Sequence, residues 1–87
     1  MIFVYIIKNN FNKLYIGISE NPEKRLKFHN TKSGAIFTKS GHYKIIFKEE
    51  YSNLKEARQR EIQIKKWSRK KKEFLIEKYK KNLPTKI

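Results

Sequence analysis

Two short apolar runs near the start of the chain, Val4-Tyr5-Ile6 and Leu14-Tyr15-Ile16-Gly17, are β-branched or aromatic and place their tyrosines ten residues apart. The stretch between them, Lys8-Asn9-Asn10-Phe11-Asn12-Lys13, is rich in turn formers, so the pair reads as a β-hairpin. Side chains alternate between the two faces of a strand, and the loop length therefore decides where the phenols go. An odd loop, for example Asn9 to Phe11, sets Tyr5 directly across from Tyr15 with both phenols on one face. An even loop sends them to opposite faces. Two facing strand tyrosines are in the first instance a cross-strand aromatic pair, with a polar site as the rarer alternative.

A hairpin alone is not stable, so the rest of the chain must supply a third strand and helices to cover it. Tyr43, Ile45 and Phe47 alternate with Lys44 and Lys48, which predicts a strand from about Tyr43 to Tyr51. Asn21 before Pro22 predicts a helix cap, with the helix running to about Asn30 and carrying Arg25 and His29 on one face and a Glu23–Lys27 pair. Residues Thr31 to Gly41, with glycines, serines and threonines, read as a loop. Asn53 followed by Glu56 announces a second helix ending near Trp67. Ser68 caps a third helix, Arg69 to Lys81, with Phe74, Leu75, Ile76 and Tyr79 as its apolar side, and Leu83-Pro84 ends regular structure. The expected fold class is α+β, a three-stranded antiparallel sheet flanked by helices, in one domain over residues 1–87.

Charge narrows the function. The 22 Lys+Arg against 8 Asp+Glu give a formal net charge of +14, a field that attracts polyanions, nucleic acid phosphates above all, with anionic membrane as the rival. No segment is long and apolar enough to span a bilayer, and Met1 to Ile7 lacks the basic region and cleavage site of a signal peptide. With no cysteine there are no disulfides and no thiolate zinc sites, so the expected location is cytoplasmic. Lys65, Lys66, Arg69 and Lys70 belong to a basic run dense enough to follow a phosphate backbone, although a solvated face has the same composition. Trp67 inside that run serves either as a core staple or as a stacking platform for a base. His42 has no partner that spacing identifies.

One acid is out of place. On a helical wheel Leu54, Ala57, Glu61 and Ile64 form one stripe, which puts the Glu61 carboxylate among apolar residues. Such a group needs a cation, hydrogen-bond donors or a metal. A salt bridge to Arg58 or Lys65 is the ordinary answer.

Taken in order, Phe3-Val4-Tyr5, Tyr15-Ile16-Gly17, Arg25 and His29, the segment Glu56 to Glu61 followed by Lys65-Lys66-Trp67, and an Asn near the end resemble the GIY-YIG nuclease superfamily. The likeness is to its small single-domain members related to the excinuclease catalytic domain, which brings DNA repair into view. Phe3 stands where the first motif has Gly, and Leu83 separates Asn82 from Pro84 where related chains read Asn-Pro. The resemblance implies a metal-dependent endonuclease that hydrolyses phosphodiester bonds in DNA with one Mg²⁺ or Mn²⁺ ion. It implies Glu61 as the metal ligand, Arg25 on the scissile phosphate, Tyr5 and Tyr15 around the attacking water, and His29 and Asn82 as further polar groups.

That chemistry suits the residues: Mg²⁺ keeps most of its waters and needs only one or two carboxylates, and Arg25 offers a planar fork to phosphate oxygens. A phenol titrates near pH 10, so Tyr5 acts as a base only if neighbours depress its pKa, and otherwise orients the water. Without an appended recognition domain the cleavage is expected to follow DNA structure rather than sequence, with a partner protein as the other source of specificity. The alternative from a different class is a basic nucleic-acid-binding module of the same fold without turnover. An RNA-associated protein would share the charge and leave Glu61 unexplained.

Overall fold

The computed structural model describes residues 1–32 and 42–86, apart from the side chains of residues 29, 31 and 32. Its elements are β1 (Ile2–Lys8), β2 (Leu14–Ser19), α1 (Pro22–Lys32), β3 (Lys44–Tyr51), α2 (Leu54–Lys65) and α3 (Arg69–Lys80). The three strands form an antiparallel sheet in the order β2-β1-β3, with the first strand in the middle. This is the expected fold class. The segment read as a loop from Thr31 to Gly41 falls mostly outside the described residues.

The hairpin turn is built by Asn9, which is buried at 4% exposure. Its side-chain oxygen accepts from the backbone N–H of Phe11 at 3.0 Å and of Lys13 at 2.9 Å, and its own N–H donates to the Lys13 carbonyl at 3.1 Å. Asn12 takes a left-handed φ of 67°, a conformation asparagine tolerates better than most residues. The last paired residues are Lys8 and Leu14, so the loop runs from Asn9 to Lys13. It is odd but two residues longer than Asn9 to Phe11, and the register shifts by two. Tyr5 is therefore opposite Gly17, and Tyr15 opposite Ile7. The tyrosines share a face, as an odd loop requires, but they are diagonal neighbours rather than a directly opposed pair.

The other face of the sheet makes the core. Val4, Ile6, Ile16 and Phe47 pack with Ala57 and Ile64 of α2 and Leu75 and Ile76 of α3. On α2 the buried positions are Ala57, Arg60 and Ile64, while Leu54 is 49% exposed. The expected stripe through Leu54 and Glu61 is thus turned about the helix axis toward Arg60, because Glu49 on β3 offers Arg60 a buried carboxylate. On α3, Phe74 is exposed under the ammonium of Lys78, leaving Leu75 and Ile76 to face the core, and Tyr79 meets Phe47 edge-on at 5.3 Å. A bulge between Ile6 and Ile7 lets Ile7 pair with Ile45, skipping Ile46.

The caps follow the sequence. Asn21 accepts from the N–H of Lys24 at 3.1 Å, Asn53 from Glu56 at 2.9 Å and Ser68 from Lys71 at 3.2 Å. The predicted Glu23–Lys27 pair is replaced by a tertiary one: Glu23 holds Lys48 of β3 at 2.7 Å and so ties α1 to the sheet. The Lys48 contact holds the Glu23 carboxyl below the usual carboxylate range.

Candidate active site

Tyr5 is the centre of the candidate site. It lies in the middle strand, is only 3% exposed, and has a phenol that extends over its cross-strand neighbour Gly17. The absence of a side chain at Gly17 is what admits it, since a Cβ there would be 2.7 Å from the phenol oxygen and 3.2 Å from Cε1 of Tyr15. Both rings thus converge over one glycine. Tyr15, on an edge strand, is 47% exposed. One phenol is sheltered and the other faces solvent.

Three further groups act on the Tyr5 phenol. Burial pushes its pKa up and the adjacent Tyr15 adds to this, while the Arg25 guanidinium pulls it back through charge and a hydrogen bond, and the Glu61 carboxylate raises it again. The net direction is upward. Its surroundings thus favour the protonated phenol. Arg25 comes from α1, whose start is fixed by the Asn21 cap and Pro22, and Glu61 from α2. The structure thus brings Tyr5, Tyr15 and Arg25 together, with Glu61 acting on the Tyr5 phenol through its charge. A pocket of about 440 Å³ lined by Ser19, Glu20, Asn21, Lys24, Arg25 and Phe28 opens beside Arg25.

Glu61 is 15% exposed and receives Lys65 of its own helix at 3.4 Å, one of the two salt bridges its spacing allowed. Its charge acts on the Tyr5 phenol. Among the described residues no three His, Cys, Asp or Glu side chains gather into a metal cage. A donor set of one partly exposed carboxylate fits a hard cation that retains its waters, such as Mg²⁺, and does not fit a zinc or calcium cage.

His29 lies on α1 one turn after Arg25, and its side chain is outside the described residues. Asn82 acts through its backbone, which with φ 56° ends α3; its N–H donates to Tyr79 at 3.1 Å and that of Leu83 to Lys78 at 2.9 Å, a Schellman motif. Lys65, Lys66, Arg69 and Lys70 are exposed around the α2–α3 junction, with Arg69 held by Glu73 at 2.9 Å. Trp67 is half-buried against the core and lies between Arg60 at 5.2 Å and Lys71 at 4.4 Å, so the staple reading accounts for it. His42 does have partners: its N–H donates to Asn10 at 2.9 Å and its ring meets the Asn30 amide at 3.4 Å.

Sequence reasoning missed Lys48 and Arg60. Lys48 is directly opposite Tyr5 on β3, on the same face, with its ammonium 2.7 Å from Glu23 and 5.5 Å from the Phe3 ring centre. Only the strand register, unknown from sequence, would have found it. Arg60 was hidden because it reads as one more surface cation in a basic chain.

Residues 1–74 match the family described as the GIY-YIG catalytic domain. The chain is 43% identical over 77 residues to the UPF0213 protein CPE1444 of Clostridium perfringens, spanning 87% of this chain and 83% of that one. It is 42% identical over 76 residues to the UPF0213 protein YazA of Bacillus subtilis, spanning 86% and 77%. The solution NMR structure of the UPF0213 protein BH0048 from Bacillus halodurans superposes with a TM-score of 0.58 at 29% identity, covering 88% of this chain and 84% of that one.

Proposed function

The chain belongs to the GIY-YIG family, and from that membership and the geometry around Tyr5 we propose that it is a metal-dependent endonuclease that hydrolyses phosphodiester bonds in DNA. The observation that carries this reading is that two phenols meet over Gly17, that the inner one is hydrogen-bonded by the Arg25 guanidinium, and that it feels the charge of the Glu61 carboxylate. A structural aromatic pair does not require the last two.

In this reading Arg25 binds the scissile phosphate and offsets the negative charge that develops on its oxygens. Tyr15, at the exposed edge, and Tyr5, beneath it, hold the attacking water in line through their hydroxyls. Tyr5 orients the water through its Oη; the water's proton, made more acidic by the cation Glu61 would hold, passes to solvent as the new O–P bond forms, and the leaving oxygen takes a proton from solvent. His29, on the Arg25 helix, is the further polar group of the set. Glu61 would hold one Mg²⁺ or Mn²⁺, which when bound polarises a phosphoryl oxygen and acidifies bound water. The basic residues Lys65, Lys66, Arg69 and Lys70 hold the flanking backbone, and their contacts are to phosphates, which makes recognition follow DNA structure rather than sequence. Among the described residues no helix is long and apolar enough to cross a membrane.

The Glu61–Lys65 pair favours a second reading, a nucleic-acid-binding module of the same fold in which Glu61 is structural. Supercoiled plasmid incubated with Mg²⁺ distinguishes the two. Nicking by the parent protein that is lost in Glu61→Gln supports the nuclease, and equal binding with no nicking by either supports the module.

A further inference from the structure

Arg60 is adjacent to Glu61 in sequence but is held by an entirely different set of contacts. It is 8% exposed, and its guanidinium donates in three directions: Nε to Glu49 Oε1 on β3 at 2.8 Å, Nη1 to Gln63 Oε1 at 2.7 Å, and Nη2 to the Thr85 carbonyl at 2.7 Å. The Glu49 carboxylate is completed by the Tyr51 hydroxyl at 2.6 Å and the Thr85 hydroxyl at 2.8 Å. Among the described residues no buried side-chain polar atom in the molecule lacks a partner. The cluster joins β3, α2 and the segment that follows α3.

A buried ion pair is a weak device for stability, because apolar residues of the same volume often serve as well or better. What it does supply is direction. A guanidinium fork bound on three sides tolerates little rotation, whereas Ala57 and Ile64, the other buried residues of α2, present a smooth apolar strip that would let the helix turn. Any turn of α2 about its axis that moved Glu61 would break the bonds of Arg60 to Glu49 and Thr85, which lie on other elements.

We propose that Arg60 is a positioning residue for Glu61. Its clamp on Glu49 and Thr85 fixes the rotation of α2 and so the place of the Glu61 carboxylate. Thr85, beyond the part of the chain that matches the family, thereby belongs to the working site. This rests on the reading of Glu61 as the ligand of a divalent cation.

The test measures Mn²⁺ binding by water-proton relaxation, with Mn²⁺ alone as the probe, beside thermal melts. Arg60→Lys keeps the charge and removes the fork, and Mn²⁺ affinity should fall about tenfold, the size usual for a residue that orients a ligand. The double variant Glu49→Met/Arg60→Met removes the pair without leaving a buried charge; it should melt near the parent temperature and still bind Mn²⁺ about tenfold more weakly. If Arg60→Lys does not fold, the double variant decides. Parent-like affinity in the double variant, or in a folded Arg60→Lys, would overturn the proposal, because packing alone would then suffice to place Glu61. Glu61→Gln controls the premise: if it binds Mn²⁺ as the parent does, the ligand assignment fails and the proposal with it, a result distinct from a loss that is seen only in Glu61→Gln.

Discussion

The phenol oxygen of Tyr5 occupies the space beside Gly17 where any other residue would carry its Cβ, 2.7 Å from that position, with Cζ at 2.9 Å. Gly17→Ala therefore forces the Tyr5 ring to move. The cost should be about 1–3 kcal/mol, as for other overpacked positions, with a larger loss of nicking than of stability. In a Tyr5→Ala background the same substitution should cost clearly less, with only the Tyr15 ring at 3.2 Å left to give way. Denaturant melts of the four proteins in this cycle measure the coupling, and additive costs would show that the two residues do not touch.

Arg25 is the group that draws the raised Tyr5 pKa back down, so Arg25→Gln should move the phenol titration to still higher pH, seen in the ultraviolet absorbance of tyrosinate. Because the folded pKa lies above the unfolded one, Tyr5 contributes stability that is fully present below about pH 10 and is lost as pH rises through the folded value. Nicking at neutral pH should fall by about two to three orders of magnitude, the scale seen for removal of one preorganised charge-stabilising donor, while Tm moves little because Arg25 is exposed.

Glu49 governs the acid limb. Burial alone would raise its carboxyl, but the hydrogen bonds from Tyr51, Thr85 and Arg60 together outweigh burial and hold it below the usual range. Its contribution is therefore present above about pH 4.3 and disappears as pH falls through the lower folded value. Glu49→Gln leaves Arg60 without its counter-charge and should lose about 3–5 kcal/mol at pH 7. The same variant should also melt with less dependence on pH below 5. A parallel pH profile for the two proteins would contradict the assignment.

For Glu61 the stability and activity effects should separate. Its partner Lys65 is more than half exposed, so the pair is worth about 0.3–0.5 kcal/mol at most. Glu61→Gln should leave Tm within a degree or two of the parent, abolish metal-dependent nicking, and remove the rise in Tm that Mg²⁺ confers by binding the native state. Scanning calorimetry with and without Mg²⁺ reads both.

Binding to duplex DNA should weaken steeply with salt, each neutralised phosphate adding about −0.9 to the slope of log K against log salt concentration. Replacing Lys66 and Lys70 by Ala should flatten the slope by about 1.8 in all. Arg69, already engaged by Glu73, should contribute less than either. Fluorescence anisotropy over a salt series measures the slopes, and an unchanged slope would remove the junction from the DNA interface.

Local chemistry was sufficient for the elements. Turn asparagines, the caps at Asn21, Asn53 and Ser68, and the alternation of apolar residues each act over a few positions, so the strands and helices of the described residues could be placed with ends accurate to one or two residues. The motif order from Tyr5 to Glu61 likewise sufficed to name the family. The register was decided by the Asn9 side chain folding back on the loop, a choice between loops of equal parity that composition does not distinguish; it alone put Gly17, rather than Tyr15, under Tyr5. Which neighbour of the α2 stripe went inside was decided by a carboxylate on another element: Glu49 made it favourable to bury Arg60 and left Glu61 at the rim. Helical spacing limits the candidates to a face, but only tertiary contact supplies the counter-charge that lets one of them be buried.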